Sequence, residues 1–92
     1  MFKIHIIGSS SSGNTIIAEN DNMILFLDAG MSCKAVDKFM KENNISLEKE
    51  RYLFVSHEHA DHNKYKSNYM SKYDLTLIEH KPEYVLPVFL PL

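Results

Sequence analysis

Between positions 56 and 62 the chain reads Ser56-His57-Glu58-His59-Ala60-Asp61-His62, an H-x-H-x-D-H pattern with three imidazoles and a carboxylate in six residues. Neutral imidazole and ionised carboxylate are good ligands for zinc, and they suit iron and manganese as well. His57 and His59 stand two apart, so on extended backbone their side chains point the same way and can share one ion. Asp61 and His62 follow where the backbone begins to coil, which turns them toward a second position and lets one short segment serve two metals. The plainer reading is a polar helix start with incidental histidines, and the density of ligand types speaks against it. The helical zinc signature H-E-x-x-H is not met, because position 61 is aspartate rather than histidine, so a zincin-type protease is not supported.

Ligands need elements that hold them. Phe2 to Ile7 contains β-branched residues and a charge and predicts a first strand, Gly8 to Asn14 a tight polar loop, and Thr15 to Ala18 a second strand. After a turn at Asn20-Asp21-Asn22, the apolar run Met23-Ile24-Leu25-Phe26-Leu27 predicts a third strand buried on both faces and ending at Asp28-Ala29-Gly30. Ser32 is placed to cap a helix in which Val36, Phe39 and Met40 share one side, and Asn43-Asn44 ends it. Tyr52 to Val55 predicts a fourth strand with the metal motif at its mouth. Tyr65, Tyr69, Met70 and Tyr73 mark one side of a second helix, and Leu75 to Ile78 predicts a fifth strand. The alternation of strands and helices in the second half predicts parallel pairing, appended to an antiparallel opening.

Gly8, four serines, Gly13, Asn14 and Thr15 come within one residue of the phosphate-loop pattern G-x-x-x-x-G-K-[ST]. The missing residue is the lysine that reaches the phosphates, and Thr15-Ile16-Ile17 favours strand where a phosphate loop opens a helix. A hairpin at the rim of the site is the preferred reading.

The bulk numbers describe an ordinary globular domain of modest core: 92 residues, 45% apolar and 24% charged. A formal net charge of −2 gives no overall attraction to nucleic acid or to an anionic membrane. Lys64, Lys66, Lys72 and Lys81 follow the motif; they can line an anionic substrate path, but a solvated helix face explains them as well. Cys33 is the single cysteine, which excludes an intramolecular disulfide and fits a reducing, cytoplasmic setting; a half-buried helix residue is its expected role. The amino terminus does not read as a secretory signal and no apolar run approaches membrane-spanning length, so no membrane association is expected. His5 reads as a strand residue and His80 as a surface or capping residue, rather than as ligands.

On the S-G-N step at Ser12-Gly13-Asn14, the strand ending in Asp28-Ala29-Gly30, the helix after it, and Val55 to His62, the chain resembles the metallo-β-lactamase superfamily. The likeness is greatest to its YycJ-like branch in bacteria and phages. That resemblance implies an α/β fold, the amino-terminal half of an αβ/βα sandwich, here as a mixed sheet with two helices. It implies that His57 and His59 bind a first zinc and that Asp61 and His62 bind a second, with manganese or iron fitting the same donors. It further implies that Asp28 braces the metal loop from the neighbouring strand and that Asp61 orients the attacking nucleophile. The activity implied is metal-dependent hydrolysis, of a small-molecule or nucleic-acid phosphodiester more than of a lactam.

The chain departs from the family pattern in two places. Asn63-Lys64-Tyr65-Lys66 stands where family members show a hydrophobic residue and soon a glycine, and the downstream histidine, aspartate and final histidine of the family have no counterpart in the 30 residues after His62. Residues 1–80 are therefore expected to form a truncated domain and residues 81–92, with three prolines among apolar side chains, a tail. A sheet without its partner sheet predicts an exposed apolar face and self-association through it. The alternative to a hydrolase is a non-catalytic metal-binding fragment or interaction module, holding an ion loosely.

Overall fold

A computed structural model describes residues 2–10, 13–56 and 63–78. The alternating first third of the chain forms β1 (Lys3–Ser10), β2 (Gly13–Glu19) and β3 (Met23–Leu27), followed by α1 (Cys33–Glu42), β4 (Glu50–Phe54), α2 (Lys66–Tyr73) and β5 (Thr76–Ile78). The five strands make one sheet in the order β1-β2-β3-β4-β5. β1-β2 and β2-β3 pair antiparallel, β3-β4 and β4-β5 parallel, so the mixed α/β arrangement expected from the sequence is the one observed.

The predicted loop over Gly8–Asn14 is largely strand. Gly8 pairs with Thr15, Ser9 with Asn14 and Ser10 with Gly13, and the register slips between Ile6 and Gly8. Such a bulge inverts the parity of the strand beyond it. The glycines that read as loop signals remain in the ladder because they pack closely on a neighbouring loop. At the other end of β2 the turn is made as expected: the Asn20 side-chain oxygen accepts from the Asn22 and Met23 amides at 2.8 and 2.9 Å.

Register sorts the side chains into two faces. His5, Ile17, Phe26, Leu53 and Leu77 form one row, and both helices pack on this side. Phe26 stacks on Tyr73 with centroids 5.3 Å apart and meets Tyr69 edge to face at 5.8 Å, while His5 meets Phe39 of α1 at 6.0 Å. Val36 and Met40 bury the apolar side of α1, and Ile17, Ile24, Phe26 and Leu53 are wholly inaccessible. α1 is capped as the sequence predicts: Ser32 Oγ accepts from the Ala35 amide at 3.3 Å, and Asn43 closes the far end with its amide donating to Phe39 O at 3.0 Å.

On the opposite face the expectation fails in part. β3 is not buried on both sides: Ile24 and Phe26 are, but Met23, Leu25 and Leu27 are only half-buried. The two described helices cover a single face, so the residues of alternate parity have no described helix above them. Ile4 and Ile6 of β1 are 62% and 60% exposed, and Ile78 of β5 is 41% exposed. Residues 81–92, read as a tail, lie outside the described residues.

Candidate metal centre

The four candidate ligands, His57, His59, Asp61 and His62, lie outside the described residues, as does His80. Among the described residues no group of three or more His, Cys, Asp or Glu is placed to hold a metal. What the structure gives is the frame at either end of the ligand segment, and both ends are tied to one loop of four residues, Asp28 to Met31.

The upstream end is held by Asp28. Its carboxylate accepts from the Ser56 amide at 2.7 Å and from the Ser56 hydroxyl at 2.9 Å, immediately before His57. Asp28 itself terminates β3 with φ 70°, a left-handed conformation that aspartate tolerates better than most residues. Its amide donates to Phe54 O at 2.7 Å, fixing the carboxylate beside the carboxyl end of β4. The brace suggested by the sequence is therefore a set of hydrogen bonds, charge-assisted on the acceptor side.

The downstream end is held one residue further along the same loop. The Tyr65 amide, three residues after His62, donates to Ala29 O at 2.7 Å. The loop is in turn gripped from β2: the Gly30 amide donates to Asn14 O at 2.9 Å and the Met31 amide to Thr15 Oγ1 at 3.3 Å. The close approach requires glycine. A Cβ on Gly13 would lie 2.7 Å from Gly30 O, a backbone atom that cannot turn aside, while one on Gly8 would lie 2.7 Å from Met31 Sδ and displace that side chain. The Gly-Ser hairpin thus packs against the loop that carries both ends of the motif.

α2 closes the arrangement. Tyr69 is wholly buried, and its hydroxyl donates to Met31 O at 2.6 Å and meets Thr15 Oγ1 at 2.9 Å. Burial, chiefly, pushes the Tyr69 hydroxyl up to about 12, so it keeps the proton that it donates. Thr15 is the one fully buried polar residue among the described residues. Sequence reading placed Tyr69 on the apolar side of a helix and Thr15 in a strand, and missed their pairing. A threonine at a buried parity position within Thr15-Ile16-Ile17 was the available signal, since a buried hydroxyl requires a built partner.

The other singled-out residues take the plain roles expected of them. His5 is a strand residue whose Nε2 lies 2.8 Å from Glu19 Oε2. Cys33 opens α1 half-buried. Lys72, on the exposed side of α2, pairs with Asp37, Lys64 lies over the Tyr65 ring at 5.5 Å in the turn before α2, and Lys81 lies outside the described residues. A shallow groove is lined, among the described residues, by Cys33, Ser67, Asn68, Ser71 and Lys72. No described helix is long and apolar enough to cross a membrane.

No family model matches the chain. Individual proteins do. The chain is 34% identical over 70 residues to a Bacillus anthracis protein named exodeoxyribonuclease YycJ, a match that covers 76% of this chain and 26% of the relative. It is 38% identical over 61 residues to the Streptococcus pneumoniae protein named exodeoxyribonuclease WalJ, in strains D39 and R6 alike, covering 66% of this chain and 23% of the relative. The match thus spans about a quarter of the length of these relatives.

Proposed function

We propose, from the premise that this chain is a homologue of the YycJ and WalJ exodeoxyribonucleases of the metallo-β-lactamase superfamily, that it carries the metal-binding segment of a nuclease-type hydrolase acting in the cytoplasm on DNA phosphodiesters. The observation that carries the reading is the convergence of both ends of H-x-H-x-D-H on the Asp28–Met31 loop, Ser56 on Asp28 and Tyr65 on Ala29. Metal ligands on a short segment need such fixed ends, because an ion is bound tightly only where its donors are held in place.

In this proposal His57 and His59 hold one ion and Asp61 and His62 the other, with Asp61 also directing the attacking nucleophile. The donor set is three imidazole nitrogens and a carboxylate, which fits zinc and accommodates manganese or iron. A bound ion of this kind lowers the pKa of water and polarises a phosphoryl oxygen. The chain's own part is positional: Asp28 keeps Ser56 and hence the approach to His57 in place, and Ala29 keeps Tyr65 from drifting as the chain enters α2.

The proposal includes a partner. The exposed Ile4 and Ile6 of β1 and Ile78 of β5 lie on the same sheet face, at its two edges, and a second copy of the chain covers that face, since exposed apolar side chains on an open sheet face favour association. The functional test is degradation of end-labelled linear DNA by the full chain with zinc or manganese. His59→Ala is expected to abolish it and His80→Ala to leave it unchanged; no degradation by the unaltered chain overturns catalysis by this chain.

A further inference from the structure

The geometry points to the buried hydroxyl pair Thr15–Tyr69 as a positioning device for the metal-binding segment, acting through Met31 on the loop that anchors both of its ends. For its functional meaning the inference rests on the metal-binding reading above.

The proton count shows how closely the pair is fitted. Two hydroxyl hydrogens serve three oxygen contacts: Tyr69 to Met31 O at 2.6 Å, Thr15 to Asn14 O at 2.8 Å, and Thr15 to Tyr69 at 2.9 Å. The shortest contact takes the Tyr69 hydrogen, because Met31 O can only accept. The Thr15 hydrogen then turns between Asn14 O and Tyr69, while Thr15 Oγ1 accepts the Met31 amide at 3.3 Å. Met31 is consequently held by its amide from β2 and by its carbonyl from α2, and Gly30 by its amide from Asn14. These bonds fix the second half of the loop whose first half, Asp28 and Ala29, receives Ser56 and Tyr65. Both hydroxyls are buried beyond the reach of water, so a lost partner has no solvent substitute. Tyr69 is separated from Thr15 by 54 residues, so the pair also couples the hairpin to the helix that follows the motif.

Tyr69→Phe keeps the ring packed against Phe26 and removes only the hydroxyl. Tyr73→Phe is the matched control, one turn further on the same helix, where the hydroxyl donates to Asp37 Oδ1 at 2.7 Å and does not touch the loop. Thr15→Val provides a second variant if Tyr69→Phe fails to fold. Two readouts are taken on the full chain: the zinc dissociation constant by competition with a chromogenic chelator, and amide exchange at Met31, Ser56 and Tyr65 without metal. Tyr69→Phe or Thr15→Val is expected to weaken zinc binding about tenfold or more and to speed exchange selectively at those three amides, with Tyr73→Phe changing neither. Equal effects of Tyr69→Phe and Tyr73→Phe, or exchange raised uniformly over the chain, overturn the proposal and leave a merely structural role. If the unaltered chain binds no zinc, the metal reading fails by itself, and the exchange pattern alone decides whether the pair positions the loop.

Discussion

Asp28 concentrates the most consequence in a single side chain. It accepts three hydrogen-bond contacts from Ser56 while its backbone stands at φ 70°, a conformation that costs most residues of order 1 kcal/mol. A substitution that keeps the backbone tolerance separates the two roles. Asparagine accepts left-handed φ at least as well as aspartate but carries no charge and offers one acceptor oxygen. Asp28→Asn is therefore expected to leave the fold intact by circular dichroism and to weaken zinc binding about tenfold or more, the range typical of residues that orient a metal ligand from behind. Unchanged zinc affinity in a folded Asp28→Asn chain would show that Ser56 needs no brace.

At the scale of elements, a charged cluster ties the edge of the sheet together. Glu19 of β2 accepts from Lys49 at 2.8 Å and from His5 of β1 at 2.8 Å, and Lys49 also donates to Asn20 O at 2.8 Å. Burial raises the Glu19 carboxyl, but the hydrogen bonds from Lys49 and His5 outweigh it and hold the group below its ordinary value of 4.5. The folded carboxyl thus releases its proton more readily than the unfolded one. Its contribution is complete above pH 4.5 and fades as the pH falls through the lower folded value. Glu19→Gln is expected to flatten the loss of stability on that acid limb, measured as the urea midpoint against pH. A limb of unchanged slope would place the acid sensitivity elsewhere.

The elements themselves were legible where local chemistry decides them. Ser32 before Cys33–Glu42, Asn20-Asp21-Asn22 between strands, and the tyrosines of α2 each carry their own signal in the sequence. The hairpin was legible but the length of its loop was not, because Gly8 and Gly13 signal loops in isolation, while here they stay in the strands and serve close approach to Met31 and Gly30. The Tyr65–Ala29 and Tyr69–Met31 bonds were invisible for a different reason: each uses a backbone carbonyl 36 to 38 positions away, and no residue type announces a carbonyl. The ligand motif was the reverse case, plain in the sequence and outside the described residues.

For the whole molecule, one sheet face carries the helices and the other carries Ile4, Ile6 and Ile78. Association through that face predicts a concentration-dependent dimer in sedimentation equilibrium. Ile6→Lys, at a position already 60% exposed, is expected to shift it to monomer while leaving the far-ultraviolet circular dichroism unchanged and removing the concentration dependence of the unfolding midpoint, and a chain monomeric at all concentrations would contradict the proposed partner. Metal binding by His57 to His62 underlies the proposed function, and equilibrium zinc binding to the full chain is its test. Zinc bound by the unaltered chain, weakened about tenfold or more by His59→Ala and by Asp61→Ala and unchanged by His80→Ala, is the predicted result. An unaltered chain that retains no zinc, or zinc binding indifferent to His59 and Asp61, would contradict it.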